Sequence, residues 1–189
     1  IEMNSISRSK AAKLASQFFG TGRYKNTADR NSYCTWSAYD EQGREWKFQK
    51  DVSIAGIDSE KCEMVTPILN YSDIETLQEL VRILRKAGAK SDSTRGCGVH
   101  IHIGAKGHTA KTLRNLANIM ASHEQLLIDA LNLDEVRIRR YCKTVDPRFL
   151  EQVNRTRPET MSQLADVWYK SHDENYGRSH HYNGSRYHM

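Results

Sequence analysis

The sequence predicts an α+β fold, a mainly antiparallel sheet with helices packed on one face. Three observations lead there. Short alternating segments recur, and two of them are joined by a loop of hairpin length. Longer segments carry apolar residues at helical spacing behind N-capping residues. The resulting order, β-α-β-β-β-α-β-α, groups strands with strands instead of alternating strictly with helices as a parallel sheet would.

Ile1 to Asn4 reads as the end of a strand with Glu2 and Asn4 on one face. Ser7 can cap a helix from Arg8 to about Phe19, with Ala11, Leu14, Ala15 and Phe18 as its apolar stripe and Gly20 as its stop. Thr21 to Asn31 reads as a polar loop. The segments from Ser32 to Tyr39 and from Arg44 to Asp51 read as two strands joined by Asp40-Glu41-Gln42-Gly43, with Trp36, Trp46 and Phe48 as core aromatics. Asp51, at the strand end, is well placed for a site, and aspartate is also a common turn former. The segment from Glu60 to Thr66 predicts another strand, with Cys62 and Met64 on one face and Glu63 and Val65 on the other, ended by Pro67. Ser72-Asp73-Ile74-Glu75 predicts a capping box for a helix to about Ala87, striped by Ile74, Leu77, Val81 and Leu84.

The stretch from Arg95 to Gly104 is where chemistry is expected. Val99, Ile101 and Ile103 alternate with His100 and His102, so a strand would send the aliphatics into a core and present two imidazoles on the other face. Gly96, Gly98 and Gly104 leave room for close approach of a ligand or another backbone. Such a pair suits a divalent cation, a phosphate, or one of each, and equally a polar face whose imidazoles bond to neighbours. Cys97, between two glycines beside the histidine pair, reads first as a small buried residue, with a nucleophile as the alternative. Thr109 predicts the start of the longest helix, to about Leu131, with Leu113, Leu116, Ile119, Met120, His123, Leu126 and Leu127 on one side. His123 reads as a hydrogen-bonded core or interface histidine rather than a ligand. Thr160 to Gln163 is a second capping box before a helix through Trp168 and Tyr169, and the tail from Arg178 to Met189 reads as a donor-rich loop.

A chain of 189 residues with 38% hydrophobic and 27% charged residues suits one globular domain, residues 1–189. No run approaches the roughly 18 apolar residues of a membrane span. The four cysteines form no C-x-x-C pair, which argues against a structural zinc site and for reduced thiols in a cytoplasmic protein. The formal charge of +5 favours anionic ligands such as nucleotides and only weakly nucleic acid. Part of that charge lies in Arg137 to Arg140, which a solvated helix face also explains. Oligomeric state is left open.

Glu2 in a first strand, then Cys62-Glu63-Met64-Val65-Thr66-Pro67-Ile68-Leu69, then Gly96-Cys97-Gly98-Val99-His100-Ile101-His102, resembles the amidoligase family. Its members are relatives of glutamine synthetase and glutamate-cysteine ligase. The family shows a G-I-E-x-E first strand, an E-L-V-S-P-I-L strand and a C-G-x-H-x-H strand, with an Asp-x-Ser step matched by Asp51-Val52-Ser53. The resemblance implies a catalytic domain like that of glutamine synthetase. It implies ATP- and Mg²⁺- or Mn²⁺-dependent joining of a carboxylate to an amine through an acyl-phosphate, on amino acid or peptide substrates. Glu2, Glu63 and His100 would then be metal ligands, and His102 and Arg178 would contact nucleotide. Asp51 and Arg186 would serve catalysis. Two departures stand out. Asn4 replaces the second acid of the first strand, and the family's E-F-R motif is not met by Met189. The expectation is therefore of a domain clipped at its first strand and lacking its last strands, with a catalytically incomplete binding module as the alternative.

Overall fold

A computed structural model describes residues 1–28 and 33–169 of the chain, which divides into two compact units, 1–102 and 103–189. The fold is α+β.

The first unit holds a five-stranded antiparallel sheet. Its strands are β1 (Glu2–Met3), β2 (Tyr24–Asn26), β3 (Trp36–Tyr39), β4 (Glu45–Gln49) and β5 (Cys62–Val65), in the order β1-β5-β4-β3-β2. Helices α1 (Arg8–Phe18) and α2 (Ile74–Lys86) belong to the same unit. Alternation decides the two faces. Trp46, Phe48, Cys62, Met64, Met3 and Ala38 point one way and are buried with Ala11, Ala12 and Ala15 of α1 and Leu80 and Leu84 of α2. Phe19 lays its ring 5.1 Å from that of Trp46, so both helices cover this face. Glu2, Glu63, Gln49, Lys47, Ser37 and Lys25 alternate with those residues and belong to the other face.

Local signals behave as expected at α1. The Ser7 hydroxyl accepts from the Lys10 amide, and Gly20 follows at φ +70°. At α2 the capping box forms two residues earlier than predicted, between Asn70 and Asp73 around a short 3₁₀ turn. The buried stripe is Leu80 and Leu84, with Leu77 and Val81 half-buried, while Ile74 is exposed. The predicted loop from Thr21 to Asn31 contains β2, a strand with three exposed residues. Its polar side chains carry no apolar period, so only pairing to β3 reveals it.

The histidine stretch departs most. Residues 97–105 form no regular strand, and Val99, Ile101 and Ile103 are 62%, 82% and 83% exposed rather than in a core. The cause lies in its neighbour. The β1 strand is two residues long, and the Glu2 amide donates to the Gly98 carbonyl (2.9 Å). The Gly98 amide then bonds the Glu2 side chain, not a backbone carbonyl, so the ladder stops there.

The second unit is helical among its described residues. Helices α3 (Ala110–Ala130), α4 (Glu135–Arg140), α5 (Pro147–Thr156) and α6 (Met161–Trp168) follow in order. Thr109 and Thr160 cap α3 and α6 as predicted. The α3 helix buries Ala110 and Ala117, with Leu113 and Ala121 half-buried, against Phe149 and Val153 of α5 and Leu164 of α6. Leu116, Ile119, Met120, Leu126 and Leu127, predicted on its core side, are exposed. His123 is exposed rather than in the core and bonds locally, Nδ1 lying 2.9 Å from the Ile119 carbonyl. Helix α5 was not predicted, although Asp146 caps it and Pro147 opens it. No helix among the described residues is long and apolar enough to cross a membrane.

Candidate active site

The face of the sheet away from α1 and α2 carries the site. Glu2 and Glu63 are directly opposite each other in the β1–β5 register, and Gln49 is opposite Glu63 in the β4–β5 register. One row across three strands is therefore Glu2, Glu63, Gln49. Gln49 Nε2 donates to Glu63 Oε2 at 3.0 Å and orients that carboxylate. Asp51 follows β4 and turns back towards the row. Each of Glu2, Asp51 and Glu63 offers a carboxylate oxygen, and the three oxygens lie within 4.8 Å of one another. His100 Nε2 stands 3.3 Å from Glu2 Oε1.

Two clasped loops hold Asp51 and His100 in place. The Ser53 amide (2.7 Å) and hydroxyl (2.6 Å) both donate to Asp51 Oδ1, closing a tight turn. Ile54 next to it is fully buried. The Ala55 amide donates to the Arg95 carbonyl at 2.7 Å, and Gly96, at φ +85°, comes so near the Ser53 carbonyl that a Cβ would stand 2.8 Å from its oxygen. Only glycine fits that crossing. Further along, Arg8 Nη1 bonds the Asp58 and Lys61 carbonyls at 2.8 and 2.7 Å, and Asp58 pairs with Lys50 and Lys61. This anchors the far end of the loop.

Electrostatics sort the carboxylates. Burial pushes the Glu2 carboxyl above its ordinary range, with the nearby Asp51 charge adding to it, against the opposing pull of the Gly98 amide and His100. Burial acts the same way on Asp51, but the Ser53 amide and hydroxyl, the hydrogen bond with Glu2 and His100 outweigh it, so Asp51 stays ionised below the usual aspartate range. Glu2 is 5% exposed. A crowded acid triad with one buried and two half-buried members is costly by itself. Three hard oxygen donors with one imidazole match the ligand chemistry of Mg²⁺ or Mn²⁺, and a divalent cation would offset their mutual repulsion. The residues present therefore fit such an ion.

The remaining expected site residues fall elsewhere. His102 is exposed and makes no bond with the triad among the described residues. Arg178 and Arg186 lie outside the described residues. Asn4 is 3% exposed; its Nδ2 donates to Cys97 Sγ at 3.7 Å and its Oδ1 accepts from Ser5, so its amide is spent on packing. Burial raises the Cys97 thiol, in keeping with a small buried residue. Sequence reasoning missed Gln49 and the Gly98 amide as partners of the triad. Alternation in Glu45-Trp46-Lys47-Phe48-Gln49 puts Gln49 on the polar face, but only the register names its partner.

A family model described as "Putative amidoligase enzyme" matches residues 1–189. The chain belongs to the amidoligase family. It is thereby a ligase-type enzyme, and its acidic triad lies where the two central motifs of this amidoligase, around Glu63 and His100, meet its first strand. No curated protein and no solved structure shows significant similarity to it.

Proposed function

We propose that this amidoligase joins a substrate carboxylate to an amine in two steps. The γ-phosphoryl group of ATP passes to the carboxylate, giving an acyl-phosphate and ADP. An amine then attacks the acyl carbon, the C–O bond to phosphate breaks, and inorganic phosphate leaves as the amide forms. Amino acids or peptides are the proposed substrates.

Glu2, Glu63 and Asp51, with His100, would hold Mg²⁺ or Mn²⁺. When bound, such an ion neutralises phosphate oxygens and the charge developing in phosphoryl transfer. Glu63 is aimed by Gln49, and Asp51 is kept ionised by Ser53, so both are set for a cation before one arrives. Asp51's proposed catalytic part is as the third carboxylate of this set. His102, two residues beyond His100, is assigned to nucleotide phosphate, as is Arg178, and Arg186 to catalysis; these three assignments rest on the family resemblance. A fold like the glutamine synthetase catalytic domain and a cytoplasmic location belong to the same reading.

The observation that carries the proposal is the convergence of three carboxylates from β1, β5 and the loop after β4, beside His100. Mn²⁺ titration followed by electron paramagnetic resonance tests it. The wild type should bind one or more ions, and Glu63→Gln and Asp51→Asn should each weaken binding about tenfold or more, the scale of one lost charged ligand. Binding unchanged in both variants would overturn the reading. ADP release should require a carboxylate and an amine together. The spent Asn4 amide favours the second reading, a module that binds the ion and nucleotide but does not turn over. Under that reading Mn²⁺ binds and no ADP appears with any amine.

A further inference from the structure

Helix α3 carries a second apolar face besides the one packed on α5 and α6. Ala110, Leu113, Ala117 and Ala121 make the packed side. About a third of a turn round the helix, Leu116, Ile119, His123, Leu126 and Ala130 follow one another at spacings of three, four, three and four residues, with Met120 and Leu127 beside them. That is the heptad spacing of a helix seam. Leu116, Ile119, Met120, Leu126 and Leu127 are between 41% and 65% exposed. A contiguous exposed apolar stripe marks an interaction surface. His123 does not break it, because its Nδ1 already lies against Ser122 Oγ (2.8 Å) and the Ile119 carbonyl, which leaves the ring to pack.

The charges on α3 indicate what covers the stripe. Lys111 and Arg114 lie in its N-terminal half, and Glu124 and Asp129 in its C-terminal half. This order runs against the helix macrodipole, which favours acids at the start and bases at the end. Arg114 and Glu124 are half-buried, while Lys111 and Asp129 are exposed. Lys111 and Asp129 are eighteen residues apart, with Met120 midway. At about 3.6 residues per turn that is five turns, so both stand on one flank of the stripe. Lys111 makes no ion pair among the described residues, and the Asp129 carboxylate accepts from the Gln125 amide of its own helix at 2.8 Å.

A second α3 running antiparallel answers both features. A two-fold axis beside Met120 keeps each flank on the same side of the pair, so Lys111 of each copy meets Asp129 of the other. The same axis sets Leu116 against His123, and Ile119 against Met120. A parallel pair would gather both Lys111 side chains at one end and both Asp129 side chains at the other, with no opposite charge in reach. We infer that the chain pairs with a second copy of itself through antiparallel α3 helices. An unrelated partner would need no such symmetry of charge about Met120. The helix is about 31 Å long and the stripe about 10 Å wide, roughly 300 Å² per copy against the roughly 800 Å² of a standard interface. The dimer is therefore reversible, with a dissociation constant of about micromolar or weaker.

Sedimentation equilibrium of the full chain, from well below to well above micromolar concentration, tests this. The wild type should pass from one copy to two. Ile119→Glu places a charge beside the axis twice and should leave a monomer throughout. Lys111→Glu and Asp129→Lys should each weaken the dimer about tenfold, since each reverses two contacts. The double variant should regain near wild-type strength. Either single change suits the macrodipole better, so thermal melting of the dilute, monomeric chain should hold or rise while pairing falls. A merely structural role for these charges would move melting and pairing together. Should Ile119→Glu fail to fold by circular dichroism, the charge-reversal set decides alone. A wild type monomeric throughout, an assembly larger than two, a dimer intact in folded Ile119→Glu, or a double variant no tighter than the singles overturns the inference.

Discussion

Gly96→Ala tests whether the crossing of the two site loops is as tight as it looks. A Cβ at this position would stand 2.8 Å from the Ser53 carbonyl oxygen and 3.6 Å from its carbon, both backbone atoms. The left-handed backbone at φ +85° costs alanine about 1–2 kcal/mol by itself. Pushing a backbone carbonyl out of the way adds about 1–3 kcal/mol, the usual toll of overpacking. The expected destabilisation is therefore about 2–5 kcal/mol. Gly22→Ala is the control, since Gly22 has φ +61° and nothing within 4 Å of a built Cβ. It should lose only the backbone part. Urea unfolding followed by tryptophan fluorescence, in a Trp168→Phe background so that Trp36 and Trp46 report, measures both. Because the same crossing sets Asp51 relative to His100, Mn²⁺ affinity of folded Gly96→Ala should also fall, and that of Gly22→Ala should not. Equal destabilisation of the two variants, or an unchanged Mn²⁺ affinity in Gly96→Ala, would refute the clasp.

Three further outcomes follow from the same geometry. Gln49→Ala removes the amide that aims Glu63 and should weaken Mn²⁺ binding about 10–100-fold, the range seen when a ligand's supporting bond is lost, with little change in melting temperature; an unchanged affinity in calorimetry would make Gln49 a bystander. Glu2→Gln keeps an acceptor for the Gly98 amide but removes a buried charge. Since burial raises the Glu2 carboxyl, its ionised form opposes folding above the unfolded glutamate value of about 4.3 and is relieved as pH falls. The variant should therefore melt higher than wild type at pH 7 without metal, with the gain shrinking towards acid, and should lose any Mn²⁺-induced rise; a lower melting point at pH 7 would contradict this. Arg44→Met removes a guanidinium that bonds both Asp73 oxygens at 2.9 Å and Asp40 at 2.8 Å, where Asp40 also accepts from Trp46 Nε1. Burial of Asp40 is outweighed by its bonds to Trp46 and Arg44, so its carboxyl sits below the ordinary range. Its support is present above about pH 4 and is lost as pH falls through the lowered value, so scanning calorimetry should show a melting-point deficit at pH 7 that narrows in acid.

The parts of the fold legible in the sequence are those whose signal is local. Ser7, Thr109 and Thr160 declare their helices because a hydroxyl reaching three residues ahead is a property of four consecutive residues. Trp46 and Phe48 declare a core face because alternation needs only one strand. Where the deciding contact is distant, local pattern misleads. The aliphatics at 99, 101 and 103 alternate as a buried strand would, yet a ladder needs a partner of matching length, and β1 offers two residues. The α3 helix carries more apolar residues than one face needs, and the small ones, Ala110 and Ala117, are those that pack, because close approach to α5 and α6 selects for size as well as polarity.

The site obeys the same division. Alternation alone puts Glu2, Glu63 and Gln49 each on the polar side of its own strand. Nothing in that pattern says that they share a row, because a two-residue slip of β5 would keep every side chain on its face while moving Glu63 about 7 Å from Glu2. What pins the row is Met3 opposite Cys62 and Phe48 opposite Met64, pairs whose side chains are buried together under α1 and α2. A slip would leave a sulfur side chain facing a gap and cost the packing of a whole core layer. The apolar side of the sheet thus sets the spacing of the acids on the other side. On this view the chemistry around Glu2 and Glu63 is more sensitive to volume changes at Cys62 and Met64, which never touch a ligand, than to charge changes elsewhere on the surface.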